Sequence, residues 1–139
     1  MKARFSAALL VALVAAACGG VVSPSNNIIE NFPLPGLTDT IPVGGVSKFW
    51  TYTVSNVGEY TVTVTSMNPP PSGWFGVFVG LVDGSGQCST VFYQTYYAYV
   101  GTAAAYGPIS WKGTYCVYIW DTGYSFAAPE TYNIRVSHP

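Results

Sequence analysis

Tyr115-Cys116-Val117-Tyr118-Ile119-Trp120, and after it Thr131-Tyr132-Asn133-Ile134-Arg135-Val136-Ser137, alternate with a period of two. Successive side chains of a strand point to opposite faces of a sheet, so this period marks half-buried β-structure. Tyr115, Val117 and Ile119 are expected to face a core, with Cys116, Tyr118 and Trp120 turned away. Tyr132, Ile134 and Val136 face inward in the second stretch, with Thr131, Asn133, Arg135 and Ser137 outward.

The same pattern extends upstream. In Val46–Ser55, Val46, Trp50, Tyr52 and Val54 share one face and Ser47, Thr51, Thr53 and Ser55 the other, with Phe49 the exception. In Glu59–Ser66, Tyr60, Val62 and Val64 alternate with three threonines, and Asn56-Val57-Gly58 between the two runs predicts a tight hairpin. Phe75–Asp83 is apolar on both faces, as a central strand covered on both sides would be. Aromatic residues make up 16% of the chain, and 15 Gly with 10 Pro punctuate it. Aromatic and β-branched residues suit pleated, half-buried surfaces. Seven or eight such strands in about 95 residues predict one all-β domain, an antiparallel β-sandwich of jelly-roll type, over residues 45–139.

The N-terminal segment reads as an address. Lys2 and Arg4 precede an apolar run, Phe5 to Ala17, that ends in small residues. The run is shorter than the ~20 residues a membrane-spanning helix needs. Ala15-Ala16-Ala17-Cys18 resembles the lipobox of bacterial lipoproteins, in which the cysteine is acylated and becomes the mature N-terminus. The same alanines also fit an ordinary Ala-x-Ala cleavage site, which would leave Cys18 a thiol. The expectation is a signal peptide over 1–17 and a lipid-anchored tether and lead-in over 18–44, rich in Gly, Ser, Asn and Pro, with Ile41–Val43 a candidate edge strand. Membrane attachment then comes from acyl chains. The address is the bacterial cell envelope, at the outer membrane or surface of a Gram-negative host, or secretion if Cys18 is not acylated.

Export permits oxidation, and Cys88 and Cys116 are the two cysteines left, so a disulfide between them is expected. The alternative is a pair of buried thiols. Two cysteines and one distant His make no metal-ligand set.

The run Gly113-Thr114-Tyr115-Cys116-Val117-Tyr118-Ile119-Trp120-Asp121-Thr122-Gly123, with Thr131–Val136, resembles the closing hairpin of bacterial pre-peptidase C-terminal domains. Phe49 to Thr65, with Gly58-x-Tyr60-x-Val62-x-Val64, is similar to that family's opening hairpin. The resemblance covers residues 45–139 and implies a jelly-roll-like sandwich that usually accompanies secreted peptidases as an accessory module. This sequence carries no peptidase segment beside it.

Charged residues are only 8% of the chain, and beyond Ala17 three cations face six acids. Nucleic-acid binding would need clustered Lys and Arg, so no nucleic-acid partner is expected, and no cofactor. His138 stands next to the C-terminus and reads as a frayed terminal residue, which leaves nucleophilic catalysis without a base. Asp121 and Glu130 are the one plausible carboxylate couple for glycoside hydrolysis, although Asp121-Thr122-Gly123 reads more simply as a turn. Asp83-Gly84-Ser85-Gly86 offers too few charged oxygens for Ca²⁺ and also reads as a turn.

The aromatic residues carry the functional expectation. Tyr118 and Trp120 on an outward face, with Tyr93, Tyr96, Tyr97 and Tyr99 crowding the segment after Cys88, suit stacking on sugar rings or on a hydrophobic protein partner. Alternatively, these rings cover the outer face by packing on the Phe92–Tyr106 segment and on each other. The chain therefore reads as a non-enzymatic binding module for glycan or protein. A structural, self-associating envelope component is the second reading.

Overall fold

Period-two alternation becomes nine strands, in a computed structural model that describes residues 26–123 and 125–139. They are β1 (Ile28–Phe32), β2 (Thr40–Ile41), β3 (Trp50–Val54), β4 (Gly58–Asn68), β5 (Phe75–Val82), β6 (Cys88–Ala98), β7 (Ala103–Ile109), β8 (Gly113–Trp120) and β9 (Glu130–His138). One antiparallel sheet runs β1-β9-β4-β7, with β2 also on β9, and the other runs β3-β8-β5-β6. The two stack as a sandwich, the expected all-β class. Residues 1–25, with Cys18 and the expected signal peptide, lie outside the described residues.

The core is the set of inward positions the alternation marked. Tyr60, Val62 and Val64 of β4 and Tyr132, Ile134 and Val136 of β9 meet Tyr52 and Val54 of β3, Val77 and Val79 of β5, and Tyr115, Val117 and Ile119 of β8. Each fully buried Val or Ile contributes roughly 1.5–3 kcal/mol. β5 lies between β8 and β6, which is why its sequence is apolar on both faces.

Five expectations are corrected. Asn56-Val57-Gly58 does not close a hairpin: β3 pairs with β8, while β4 pairs with β7 and β9. Those residues carry the chain from one sheet to the other. Likewise β8 and β9, read as a closing hairpin, belong to opposite sheets. The physical reason is shared. Tyr52 and Val54 must face Tyr60 and Val62 across the core, whereas a hydrogen-bonded hairpin would place all four on one side of a single sheet.

The sandwich also starts earlier than residue 45. Ile28–Phe32 pairs antiparallel with Ile134–His138 of β9, and Thr40–Ile41 pairs with Thr131 and Glu130. Phe32 and Ile41 are buried, and Phe32 stacks on Trp50 at 5.8 Å. Val46, expected inside, is instead exposed and makes only an isolated bridge to Trp120. Finally, His138 is not frayed. It is fully buried, its ring lies 5.1 Å from that of Tyr52, and its Nε2 is 3.0 Å from Glu30 Oε1. β1 pairs with the last five residues of β9, and that pairing holds His138 in place.

Cys88 and Cys116 form the expected disulfide. Their strands flank β5 on either side, and Cys116 is the register partner of Gly80 while Cys88 is that of Val82. The bridge therefore ties three strands across the middle of one sheet. Closing a loop of 28 residues' separation stabilises by roughly 3–4 kcal/mol in the chain-entropy account. A Cys88→Ser/Cys116→Ser double variant is expected to lose about that much in urea unfolding, with the midpoint shifted and the β-sheet spectrum of the folded state retained.

Candidate binding face

The outward positions of the second sheet build a surface of rings. β5 contributes Gly76, Phe78 and Gly80, and β8 contributes Cys116, Tyr118 and Trp120 opposite them. The two glycines are structural requirements of this face. A Cβ at Gly76 would collide with the Trp120 indole, and one at Gly80 would collide with the Phe78 ring. Trp120 and Phe78 thus lie flat across glycine backbone instead of standing off the sheet.

Neighbouring rings then form a continuous row. Phe78 and Tyr118 stack at 4.6 Å with planes 13° apart, Tyr118 and Trp120 follow at 6.1 Å, and Tyr96 meets Trp120 edge-on at 5.3 Å. Gln94 Nε2 donates to the Tyr96 hydroxyl at 2.8 Å. At the rim Trp74 and Tyr97 meet at 5.6 Å. Exposure increases along the row. Phe78 is buried, Tyr118 and Trp120 are half-buried, and Tyr97 is 69% exposed. Burial, and then Tyr96 beside it, push the Tyr118 hydroxyl pKa up. Mutual packing and availability to a ligand are therefore both present, at opposite ends of one row.

Beside the disulfide the face deepens into a cleft of about 180 Å³ lined by Val46, Ser47, Phe49, Gln87, Cys88 and Tyr118. Ligand pockets are commonly ~300–1,000 Å³, so this cleft fits one ring or one side chain. The remainder of any ligand would lie on the flat rings. The opposite outer face of the sandwich is different in chemistry, with Thr61, Thr63, Arg135 and Ser137 around a recess of about 50 Å³.

Of the residues expected here, Tyr118 and Trp120 are brought together, and Tyr97 joins them at the rim with Trp74. Tyr99 sits exposed in the connection between β6 and β7. Tyr93 does not belong to the face. It pairs with core-facing Val79 and packs against the core, because register shifts along β6 change which residues point outward. Phe78, Trp74, Val46 and Phe49 were not singled out as ligand-contacting residues. For Phe78 the signal was the spacing Gly76-x-Phe78-x-Gly80, which leaves one face of a central strand bare for neighbouring rings; the other three carry no such local signal.

The acidic residues are otherwise employed. Asp83 accepts from the Ser85 amide and hydroxyl, the Gln87 amide and the Ser89 hydroxyl, and these bonds, led by that from the Ser85 side chain, hold its pKa well below the usual range. It is the cap of a turn, as read. Asp121 accepts from the amides of Gly44, Gly123 and Ser125 at 2.7, 3.0 and 3.4 Å. Asp39 accepts from the Lys48 amide and from Tyr132, whose hydroxyl in turn accepts from Trp50 Nε1 at 2.7 Å. Asp121 and Glu130 do lie near one another, but both are buried, at 6% and 1% exposure, which leaves no room for a sugar between them.

Glu130 is the anomaly of this group. Its Oε2 is buried without a partner. Burial, and then the neighbouring Asp121 charge, raise its pKa from 4.5 to about 7. The folded chain holds this proton more tightly than the unfolded one, so the associated stability is present below the ordinary glutamate range and is lost as pH rises through about 7. Glu130→Gln is expected to be more stable than the wild type by roughly 1–3 kcal/mol at pH 8 and nearly equal at pH 4. Thermal melts of both chains across that range check it, and parallel pH profiles would sink it.

A scan against protein-family models found no match to this chain, and searches of the curated proteins and of the solved structures likewise found none.

Proposed function

We propose that this chain is a non-enzymatic, lipid-anchored module of the bacterial cell envelope that binds glycan through the aromatic face of its second sheet. One observation carries the reading: Trp120 is held flat over Gly76 in a row with Tyr118 and Tyr96, half-covered and still open. Pre-positioned rings lose little rotamer freedom on binding. Their flat faces suit the C–H face of a pyranose, while Gln94 and Gln87 stand exposed at the edges to meet hydroxyls. The low charge of the chain suits a neutral ligand.

The envelope address rests on the Lys2–Cys18 segment, and the disulfide fits an oxidising compartment. Mass spectrometry of the mature protein tests the anchor, and an unmodified Cys18 would sink it.

A glycan array probed with the soluble domain tests the ligand. Trp120→Ala is expected to weaken the best-bound glycan by roughly tenfold or more, in the manner of a central aromatic anchor, with the melting temperature checked in parallel. An array with no binder, or a binder indifferent to Trp120→Ala, would remove glycan and leave a protein partner for the face.

A second reading has its own support. β6 is an edge strand of 11 residues with no charge and no proline in Cys88–Ala98, and its Val91 is 58% exposed. Such an edge is a template for pairing with another copy. If the chain self-associates this way, sedimentation will show a concentration-dependent species that Val91→Lys abolishes.

A further inference from the structure

The two ends of the sandwich are not alike. Where the described chain begins, Asn27 Nδ2 donates to the Glu59 carbonyl at 2.8 Å and to the Ser137 hydroxyl at 3.1 Å. Ile28 pairs there with His138, Gly58 with Ile109, and Val54 with Gly113. Two loops that cross between the sheets cap this end, Ser55-Asn56-Val57 and Ser110-Trp111-Lys112. They carry the most exposed large apolar side chains near the chain's start, Trp111 at 63% and Val57 at 62%, with Ile28 exposed beside them. The Trp111 backbone is nevertheless fixed, since the Tyr115 hydroxyl donates to its carbonyl at 3.0 Å. The Trp120–Tyr96 part of the aromatic face lies toward the other end, where Gly76 pairs with Trp120.

We propose that the Trp111–Val57 end docks on the phospholipid bilayer to which Cys18 is anchored, with the Trp111 indole in the headgroup layer. This rests on the lipid-anchor reading above. Seven residues lie between Cys18 and Asn26, and the eight steps from one to the other, fully extended, reach at most about 29 Å. The sandwich is longer than that: β4 alone has 11 residues, or about 36 Å at the rise of a strand. The tether therefore keeps the near end, where the chain enters the sandwich, within that distance of the lipid surface. The exposed side chains of that end meet the bilayer more readily than those of the far end, which reaches it only if the sandwich tilts over. Tryptophan favours the membrane–water interface, where its ring is apolar and its N–H is wet. Lys112 can lay its stem along the same boundary with its charge in water. Glu59 and Asp83, both exposed at this end, offset that single cation, so the docking is driven by the apolar side chains and needs no anionic lipid. The consequence for the glycan-binding face is orientation. Its Tyr96–Trp120 end is carried away from the bilayer.

The test supplies the anchor chemically, so that it is independent of natural acylation. The chain from Cys18 onward is coupled through the Cys18 thiol to a maleimide-headgroup lipid in phosphatidylcholine vesicles, with and without brominated acyl chains as a tryptophan quencher. Wild-type emission is expected to be quenched by brominated lipid. Trp111→Phe should lose that quenching, Trp74→Phe at the far end should keep it, and Val57→Asp should weaken it with all four tryptophans in place. Raised salt should change nothing. Quenching that disappears with Trp74→Phe and survives Trp111→Phe, or no quenching of the wild type, overturns the docking. Mass spectrometry of native Cys18 decides the anchor separately, so the two failures are distinguishable.

Discussion

β9 is the strand the sandwich depends on, because among the described strands it alone is paired along one edge by two separate strands, β1 and β2, while β4 occupies the other edge. An apolar strand buried on its inner face needs both rows of its backbone groups satisfied. Residues 28–41 supply one of those rows. They also bring Phe32 and Ile41 into the core and set Asp39 against the Tyr132 hydroxyl at 2.6 Å. Through Tyr132 that contact reaches Trp50 in the opposite sheet. The first described segment and β9 thus form one structural unit, and buried His138, paired with half-buried Glu30, closes it.

This arrangement explains why the two outer faces differ. In the first sheet β4 and β9 turn Thr61, Thr63, Asn133 and Arg135 outward, side chains that accept water without help. In the second sheet β5 turns Gly76, Phe78 and Gly80 outward. Glycine leaves the backbone of a central strand uncovered, and the rings of Trp120 and Phe78 replace the missing side chains. The disulfide lies beside the same region and ties both flanking strands across it. Stability of the sheet and flatness of its surface have one cause.

The inner faces were legible in the sequence because alternation with a period of two survives wherever one side is buried and the other is wet, as at Tyr115–Trp120 and Tyr132–Val136. Pairing was not legible. A chain reversal at Asn56–Gly58 has the same composition whether it closes a hairpin or crosses the core, and only the need for two facing layers decides between them. β1 was missed for another reason. Ile28-Ile29-Glu30-Asn31-Phe32 has no alternation, stands before Pro33 and Pro35, and becomes a strand because β9 offers an edge to pair with. Of the candidate face, Tyr118 and Trp120 followed from parity alone. Tyr93 could not, since bulges in β6 shift parity without a local sequence signal.

The remaining matter is which rings the fold itself requires. Phe78, Tyr118 and Trp120 cover β5 backbone, so the sheet would select them whether or not anything binds. Tyr96, Tyr97 and Trp74 have no such duty. They extend the row past the glycines, stay exposed, and bring apolar area to the surface of a chain with little charge to keep it soluble. Sheet stability accounts for the inner rings and leaves the outer ones without a reason. A ligand that spans from Trp120 outward supplies that reason, and it places the centre of the binding face at the Trp120–Tyr96 contact, away from the Phe78–Tyr118 stack that anchors it.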